Sequence, residues 1–150
     1  MIRDRINEET KQAMKSGDKA RLSALRMVSA AIKNVDIEAR SQGKEAGEDQ
    51  LFGVLQRLVK QRQESADLFD KGARPELAAG ERAEIAVIQS FLPQQMSEDE
   101  VRAAIAAAIQ KTGATTLKDM GKVIAELRAS RAGQLDFGKA SGLVKTMLAG

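Results

Sequence analysis

Hydrophobic residues recur every three or four positions in the first part of this chain, which is the period of an α-helix that buries one face. The first such segment has four members on one face: Ile2, Ile6, Ala13 and Met14. Gly17 followed by Asp18 predicts the end of that helix and the N-cap of the next. The second segment runs to about Arg40, and its apolar stripe comprises Leu22, Leu25, Val28, Ile32, Val35 and Ala39.

Residues 41–47 are small or polar and have no periodicity, which predicts a loop. Two more helical segments follow it. The third helix begins near Asp49 and ends before Gly72, with its inward-facing residues at Leu51, Val54, Leu55, Leu58, Val59, Leu68 and Phe69. Pro75 fits the first turn of a fourth helix, where its missing N–H is not needed. The apolar stripe of that helix comprises Leu77, Ile85, Ile88 and Leu92.

Three further helices are predicted after Pro93, which disfavours helical geometry at the residue before it. In a capping box a hydroxyl residue is followed three positions later by an acidic one. This pattern predicts that two helices begin at Ser97 and at Thr116. Asp136 caps the last helix. The apolar positions of the three helices are Val101, Ile105, Ile109, Leu117, Met120, Ile124, Leu127, Phe137, Val144, Met147 and Leu148.

The expected fold is therefore all-α, with an N-terminal four-helix bundle-like domain over residues 1–94 and a small three-helix domain over residues 95–150. Composition agrees with this expectation. Alanine, leucine, isoleucine, lysine, arginine and glutamate dominate, and aromatic residues make up 3% of the chain. Such a mixture forms helices readily and strands poorly.

Cysteine and histidine are both absent from the sequence. This excludes disulfides, thiolate nucleophiles, the commonest zinc ligands and the commonest general base near neutral pH. We therefore expect no cofactor and no metal site, and we favour a protein that is not an enzyme by itself. Residues 1–5 carry mixed charge and no apolar run of about 18 residues occurs. These features predict a cytoplasmic protein that does not contact membranes.

Residues 133–140 match the phosphate-binding loop G-x-x-x-x-G-K-[ST] except at the last position. Ala140 occupies the place where the motif needs a hydroxyl for magnesium, and Ser141 comes one residue late. The motif also needs a preceding buried strand, whereas a helical stripe precedes it here. We expect a glycine-containing connection between helices and no nucleotide site.

Glu81 and Glu84 form the one carboxylate pair that suggests acid–base chemistry or magnesium binding. Because they are three residues apart, they lie side by side on one helix, where Lys60 or Arg62 of the neighbouring helix can pair with them. Structural pairing is the interpretation that we favour. A catalytic or metal-binding role stays open as the alternative.

Basic residues are concentrated towards the C-terminus. From Lys111 onward there are seven basic residues against three acidic ones, whereas the first 110 residues carry a net charge of about −1. Lysine and arginine gain affinity for phosphates by releasing counterions, so RNA binding through backbone and shape is one interpretation of this region. A merely solvated basic face is the alternative, which charge alone favours. Phe137 is the only aromatic residue there, which favours docking on structured RNA over base stacking. The RNA-binding candidates are Lys118, Gly121, Lys122, Arg128, Arg131, Lys139 and Lys145.

Several ordered motifs together resemble the GatB/YqeY family, and the resemblance covers nearly the whole chain. The motifs are Leu25-Arg26-Met27-Val28-Ser29-Ala30-Ala31-Ile32-Lys33, Lys60-Gln61-Arg62-Gln63-Glu64-Ser65, Arg74-Pro75-Glu76-Leu77-Ala78, Phe91-Leu92-Pro93-Gln94-Gln95-Met96-Ser97 and Lys118-Asp119-Met120-Gly121-Lys122-Val123. Phe91 departs from the family pattern, which often has tyrosine there. The departure removes a hydroxyl from the junction between the domains.

The resemblance implies a two-part helical fold whose C-terminal part is similar to the tail of the B subunit of the tRNA-dependent amidotransferase, where the tail helps to hold tRNA. It implies an RNA-facing role for the helix that contains Lys118, Gly121 and Lys122. Family positions whose role is not established are matched by Arg62, Arg74, Glu81 and Glu84. The family also carries the label of a carbon–nitrogen ligase that uses glutamine as amide donor, but the nucleophile and the ATP–magnesium site which that reaction needs are not visible.

Three hypotheses of function follow. The first is an accessory protein that binds tRNA or another structured RNA, beside an aminoacyl-tRNA synthetase or an amidotransferase, and without a nucleotide cofactor. The second is a protein–protein interaction module that binds no RNA. The third is a carbon–nitrogen ligase. Salt-dependent RNA affinity, protein capture after nuclease treatment and glutaminase activity, respectively, would distinguish them.

Overall fold

The computed structural model describes residues 1–149, which form seven α-helices and one short 3₁₀ helix, Leu117–Asp119. The α-helices are α1 (Ile2–Ser16), α2 (Lys19–Ser41), α3 (Glu48–Lys71), α4 (Pro75–Gln89), α5 (Glu98–Thr112), α6 (Met120–Arg131) and α7 (Phe137–Ala149). No strand occurs over the described residues. The all-α fold expected from the hydrophobic periodicity is confirmed.

The chain separates into two compact units, Met1–Pro93 and the residues from Gln94 onward. In the N-terminal unit α1 packs on α2, α3 packs along α4, and α2 contacts both α3 and α4. Phe91 is 1% exposed in the core of this unit, so the ring without a hydroxyl suits an apolar site. The buried core residues are Ile2, Ile6, Ala13, Leu25, Val28, Ile32, Ala46, Leu51, Leu55, Ile88 and Phe91.

The ends of the helices follow from local sequence. Gly17 has a φ of 72°, in the left-handed region that glycine adopts without strain, and it ends α1. The side chain of Asp18 accepts a hydrogen bond from the backbone N–H of Arg21 at 3.1 Å and so caps α2. Ser97 caps α5 in the same way by accepting from the N–H of Glu100 at 3.2 Å. These caps lie where the sequence predicts them.

The α3–α4 pair has a distal segment that does not belong to the main core. Ala66 of α3 and Ala78 of α4 are fully buried in it, yet neither is part of the main cluster. Arg82 reaches from α4 to α3, with a guanidinium nitrogen 2.5 Å from Asp70 and 3.9 Å from Asp67. Exposed ion pairs of this kind contribute little to stability.

Five residues expected on buried faces are exposed: Met14, Leu68, Leu77, Leu117 and Met147. A helical period shows which face a residue occupies, but it does not show whether another element covers that point of the helix. Leu68 and Leu77 lie in the distal segment of α3 and α4, where the exposed fraction of Leu68 reaches 66%. Leu117 lies in the 3₁₀ helix, whose shorter period takes it off the stripe of α6.

The C-terminal unit packs α5, α6 and α7 against one another. The backbone N–H of Met96 donates to the carbonyl of Gln134 at 2.8 Å, which ties the segment before α5 to the connection between α6 and α7. Gly113, with a φ of 70°, ends α5. The buried core residues of this unit are Ile105, Ala108, Ala114, Val123, Leu127 and Val144.

Leu25→Ala is expected to lower the free energy of unfolding by about 2–5 kcal/mol, because Leu25 is fully buried and its removal leaves a cavity. Leu68→Ala is the matched control, since the same side chain is deleted at an exposed position, and we expect a change below about 1 kcal/mol. Urea unfolding followed by circular dichroism measures both. Equal losses in the two variants would show that the assignment of the core is wrong.

Candidate nucleic-acid interface

The six basic side chains predicted to bind RNA are all exposed in the C-terminal unit. They lie on three consecutive elements. Lys118 is in the 3₁₀ helix, three residues are on α6 and two are on α7: Lys122, Arg128, Arg131, Lys139 and Lys145. Gly121 lies at the start of α6, and a Cβ at this position would meet open space, so the backbone surface beside Lys122 is accessible.

Most of these charges are free of strong ion pairs. The Lys122 ammonium is 3.8 Å from Asp119, which is beyond hydrogen-bond distance, and the Lys122 side chain is 67% exposed. Over the described residues, no ion pair involves Lys118, Arg131, Lys139 or Lys145. By contrast, Lys111 binds Glu126 at 2.8 Å. The positive charge of the predicted set therefore remains available to an anionic partner.

Arg128 makes a different contact, because its guanidinium lies over the ring of Phe137 at 4.7 Å from the centroid. This cation–π contact joins α6 to α7 and leaves the charge of Arg128 on the surface. It also covers one face of the ring. Base stacking on Phe137 is therefore obstructed on that face, in agreement with binding through the nucleic-acid backbone.

The set does not occupy one face. Lys122 and Arg128 are six residues apart on α6, which places them about 120° apart around the helix. Lys139 and Lys145 have the same separation on α7. Two pairs of predicted residues lie close along the chain: Lys118 and Lys122, four residues apart across the junction of the 3₁₀ helix and α6, and Arg128 and Arg131, three residues apart on α6.

Asp119 fixes the backbone under this pair of lysines. Its Oδ2 accepts hydrogen bonds from the backbone N–H groups of Thr115 at 2.9 Å and Thr116 at 3.2 Å. The hydrogen bond from Thr115, then that from Thr116, and then the charge of Lys122 hold the pKa of Asp119 below its ordinary value, against the opposing effect of desolvation. The carboxylate thus caps the start of the Lys118–Lys122 segment.

The glycine-containing segment 133–140 is a helix connection. Gly133 has a φ of 77°, and the carboxylate of Asp136 accepts from the backbone N–H groups of Gly138 at 2.8 Å and Lys139 at 3.3 Å. A phosphate loop needs such N–H groups free to bind the ligand. Here they cap α7, and α6 rather than a strand precedes the segment.

A groove of about 640 Å³ lies in the C-terminal unit between the segment before α5 and α7. Apolar atoms come from Met96, Val101 and Leu143, and Lys139 is the one basic residue among those that line it in the described chain. No pattern in the sequence predicts this groove. Its walls come from three separate segments, and periodicity within a helix carries no information about the gap between helices.

Among the four family positions of unknown role, Arg62 and Glu84 are joined directly. The Arg62 Nε atom donates to Glu84 at 2.9 Å across α3 and α4, and Arg62 is only 18% exposed. Arg74 is exposed at the N-cap of α4, and Glu81 is half-buried. No group of three or more acidic side chains that could hold a metal ion occurs within residues 1–149.

Residues 3–148 match the family described as Yqey-like protein. The chain belongs to this family. YqeY-like proteins are related to the C-terminal region of the amidotransferase B subunit, so the resemblance seen in the motifs is confirmed. None of the described helices of this YqeY-like chain has both the length and the apolar character needed to cross a membrane.

The chain is also similar to curated yeast proteins named "Altered inheritance of mitochondria protein 41, mitochondrial". Identity is 31% to the protein of Lachancea thermotolerans, over 79% of this chain and 66% of the relative. It is 29% to that of Vanderwaltozyma polyspora, over 77% and 64%. For Saccharomyces cerevisiae it is 33%, over 59% and 47%. The YqeY-like chain thus matches about two thirds or less of the length of these relatives.

The expectation of a cytoplasmic protein is contradicted by these relatives, all of which are named mitochondrial. The expectation relied on the lack of a long apolar run. Such a run marks a secretory signal or a membrane span, whereas mitochondrial transit peptides are amphipathic and rich in arginine. The absence of apolar runs therefore gave no information about mitochondria.

Asp119→Ala is expected to lower the thermal stability of the C-terminal unit at neutral pH, because two backbone N–H groups lose their acceptor. Since the folded-state pKa is lowered, this stabilisation is present above the unfolded aspartate pKa of about 3.9 and is lost as the pH falls through the lower folded value. Thermal unfolding followed by amide NMR signals of α6 measures the effect. A difference from wild type that stayed constant down to acidic pH would contradict a role for the carboxylate charge.

Proposed function

We propose that this YqeY-like protein is an accessory RNA-binding protein that docks on structured RNA, with tRNA as the substrate class, through its C-terminal unit. The observation that supports the proposal is the set of exposed basic side chains on the 3₁₀ helix, α6 and α7 whose charges are not consumed by ion pairs. Lys118 and Lys122 form its centre, because they are four residues apart and Gly121 leaves the backbone between them open.

Binding of this kind depends on charge and shape. Each lysine or arginine that neutralises a phosphate releases a counterion, and the affinity then falls steeply with salt. Because the predicted residues lie on several sides of α6 and α7, they cannot all contact one RNA surface, and the proposal relies on the pair Lys118 and Lys122. The family relation to the amidotransferase B-subunit tail supports tRNA as the first RNA to test.

A direct role in amide transfer has less support from the site. Glu84, one of the two glutamates considered for acid–base chemistry, is already hydrogen-bonded to Arg62. A second candidate function, a protein–protein interaction module, is favoured by one observation: Leu68 and Leu77 are 66% and 43% exposed in the distal segment of α3 and α4. An aminoacyl-tRNA synthetase or an amidotransferase is the corresponding candidate partner.

The double variant Lys118→Glu, Lys122→Glu is expected to weaken binding to a purified tRNA transcript by about tenfold or more. It should also reduce the slope of log affinity against log salt by roughly 1.5 to 2, because two phosphate contacts are lost. Fluorescence anisotropy at several salt concentrations measures both quantities.

Arg102→Glu with Lys111→Glu is the matched control. It makes the same change of charge in the same unit, but at residues that already pair with Glu98 and Glu126. A control that weakened binding as much as the Lys118 and Lys122 variant would contradict the assigned surface. If the wild-type chain bound no tRNA, the interaction-module function would replace the proposal.

A further inference from the structure

Helix α2 has a basic stripe on its outer face that no part of the proposed function uses. Seven exposed residues follow one another in steps of four and three along one side of the helix, and we call them the α2 stripe: Lys19, Ser23, Arg26, Ala30, Lys33, Ile37 and Arg40. The four basic residues recur every seven positions, which is about 10 Å along the helix axis. They span about 31 Å along the helix axis, and each seven-residue step turns the row by only about 20° around the helix.

The position of the α2 stripe is set by burial on the opposite side of the helix. Leu25, Val28 and Ile32 are inserted in the core of the N-terminal unit. Arg26 and Lys33 follow Leu25 and Ile32 directly, and each such step turns the side chain by about 100° away from the core. The burial of the inner face therefore holds the four cations together on the outer face.

The charges of the α2 stripe are not neutralised by the rest of the described chain. None of its four basic side chains takes part in an ion pair over residues 1–149. Asp36 lies between Lys33 and Arg40 along α2, on the side towards α1. Its carboxylate is already bound by the guanidinium of Arg3 at 2.5 Å. Arg3, Lys33 and Arg40 line a groove of about 280 Å³ between α1 and α2, in which Asp36 is the one carboxylate. The groove thus keeps an excess of positive charge.

The geometry points to the α2 stripe as a binding surface for the phosphate backbone of double-helical RNA. Four cations held at a fixed spacing along a rigid helix complement the phosphates of a base-paired stem, whose positions the duplex holds fixed, whereas a flexible single strand does not hold its phosphates in place. The small residues Ser23 and Ala30 stand between the cations and let the helix approach the backbone closely. No aromatic residue lies on the stripe, so bases are not read by stacking.

Two other anionic surfaces fit the α2 stripe less well. A helix that lies on a membrane needs large apolar side chains to insert among the lipids, and Ile37 is the only one on this face. Duplex DNA has the same backbone charge but lacks the 2′-hydroxyl. Ser23 on the stripe and the exposed Asn34 beside it carry side chains that can hydrogen-bond to that group.

The test is a variant in which the four basic residues of the α2 stripe are changed together: Lys19→Gln, Arg26→Gln, Lys33→Gln and Arg40→Gln. Its affinity for a short blunt-ended RNA duplex of mixed sequence, measured by fluorescence anisotropy across a salt series, is expected to fall at least about tenfold. The slope of log affinity against log salt should decrease by about three. Circular dichroism checks that the helices remain folded, which glutamine favours at exposed positions.

The matched control removes four positive charges from other exposed positions of the same unit: Lys44→Gln, Arg57→Gln, Lys60→Gln and Lys71→Gln. It should retain wild-type affinity and slope. Equal behaviour of the two variants, or wild-type binding by the stripe variant, would overturn the assignment. A DNA duplex of the same sequence that bound as tightly as the RNA would also overturn it. So would a stripe variant that lost binding to anionic vesicles but kept wild-type affinity for the RNA duplex.

The α2 stripe and the C-terminal surface can fail separately. The Lys118 and Lys122 variant serves as a third arm and should keep the duplex binding that depends on α2. If it loses duplex binding while the stripe variant does not, the α2 assignment is wrong and the C-terminal surface stands. If the stripe variant alone loses duplex binding, and tRNA affinity does not depend on Lys118 and Lys122, the α2 assignment stands and the C-terminal assignment is wrong.

Discussion

Burial of the inner face of α2 is the interaction on which the N-terminal unit depends. Leu25 and Val28 are fully buried, and α2 contacts α1, α3 and α4, so it connects both helix pairs of this unit. The chain contains no cysteine and therefore no disulfide to share this role. Because the inner face cannot rotate without exposing these side chains, the outer face of the helix is equally fixed. A single packing constraint thus determines both the core and the direction in which the basic residues of α2 point.

The fold could be predicted closely because each helix carries its own signals. Gly17 and Asp18 define a helix boundary by their backbone freedom and capping chemistry, and Ser97 with Glu100 does so for α5. The failures, such as Leu68 and Leu77, have a different origin. Their positions on the helices were read correctly, but whether an apolar face is covered depends on how far the neighbouring elements extend. That is a property of the assembled unit, which no local pattern contains.

The candidate site was less predictable than the fold. Counting charges along the chain indicated the C-terminal region, and its basic residues are indeed exposed. A count over a segment, however, adds residues that lie on different sides of a helix, such as Lys122 and Arg128. The same count missed α2, where five basic residues and two acidic ones stand in a region of nearly neutral total charge. The basic residues of the α2 stripe recur every seven positions in the sequence. This spacing indicates an exposed basic face only when the buried side of the helix is known.

Two basic surfaces on one chain would affect RNA binding in different ways. Contacts to phosphates carry no sequence information, so neither surface alone can select one RNA from another. Selection then depends on shape, that is, on whether an RNA presents a stem to the row of cations on α2 and a folded surface to Lys118 and Lys122. If both surfaces engage one RNA molecule, the second contact becomes intramolecular and affinity rises without any new base contact. Discrimination between folded RNAs would then follow from whether a stem and a folded surface can be reached at the same time.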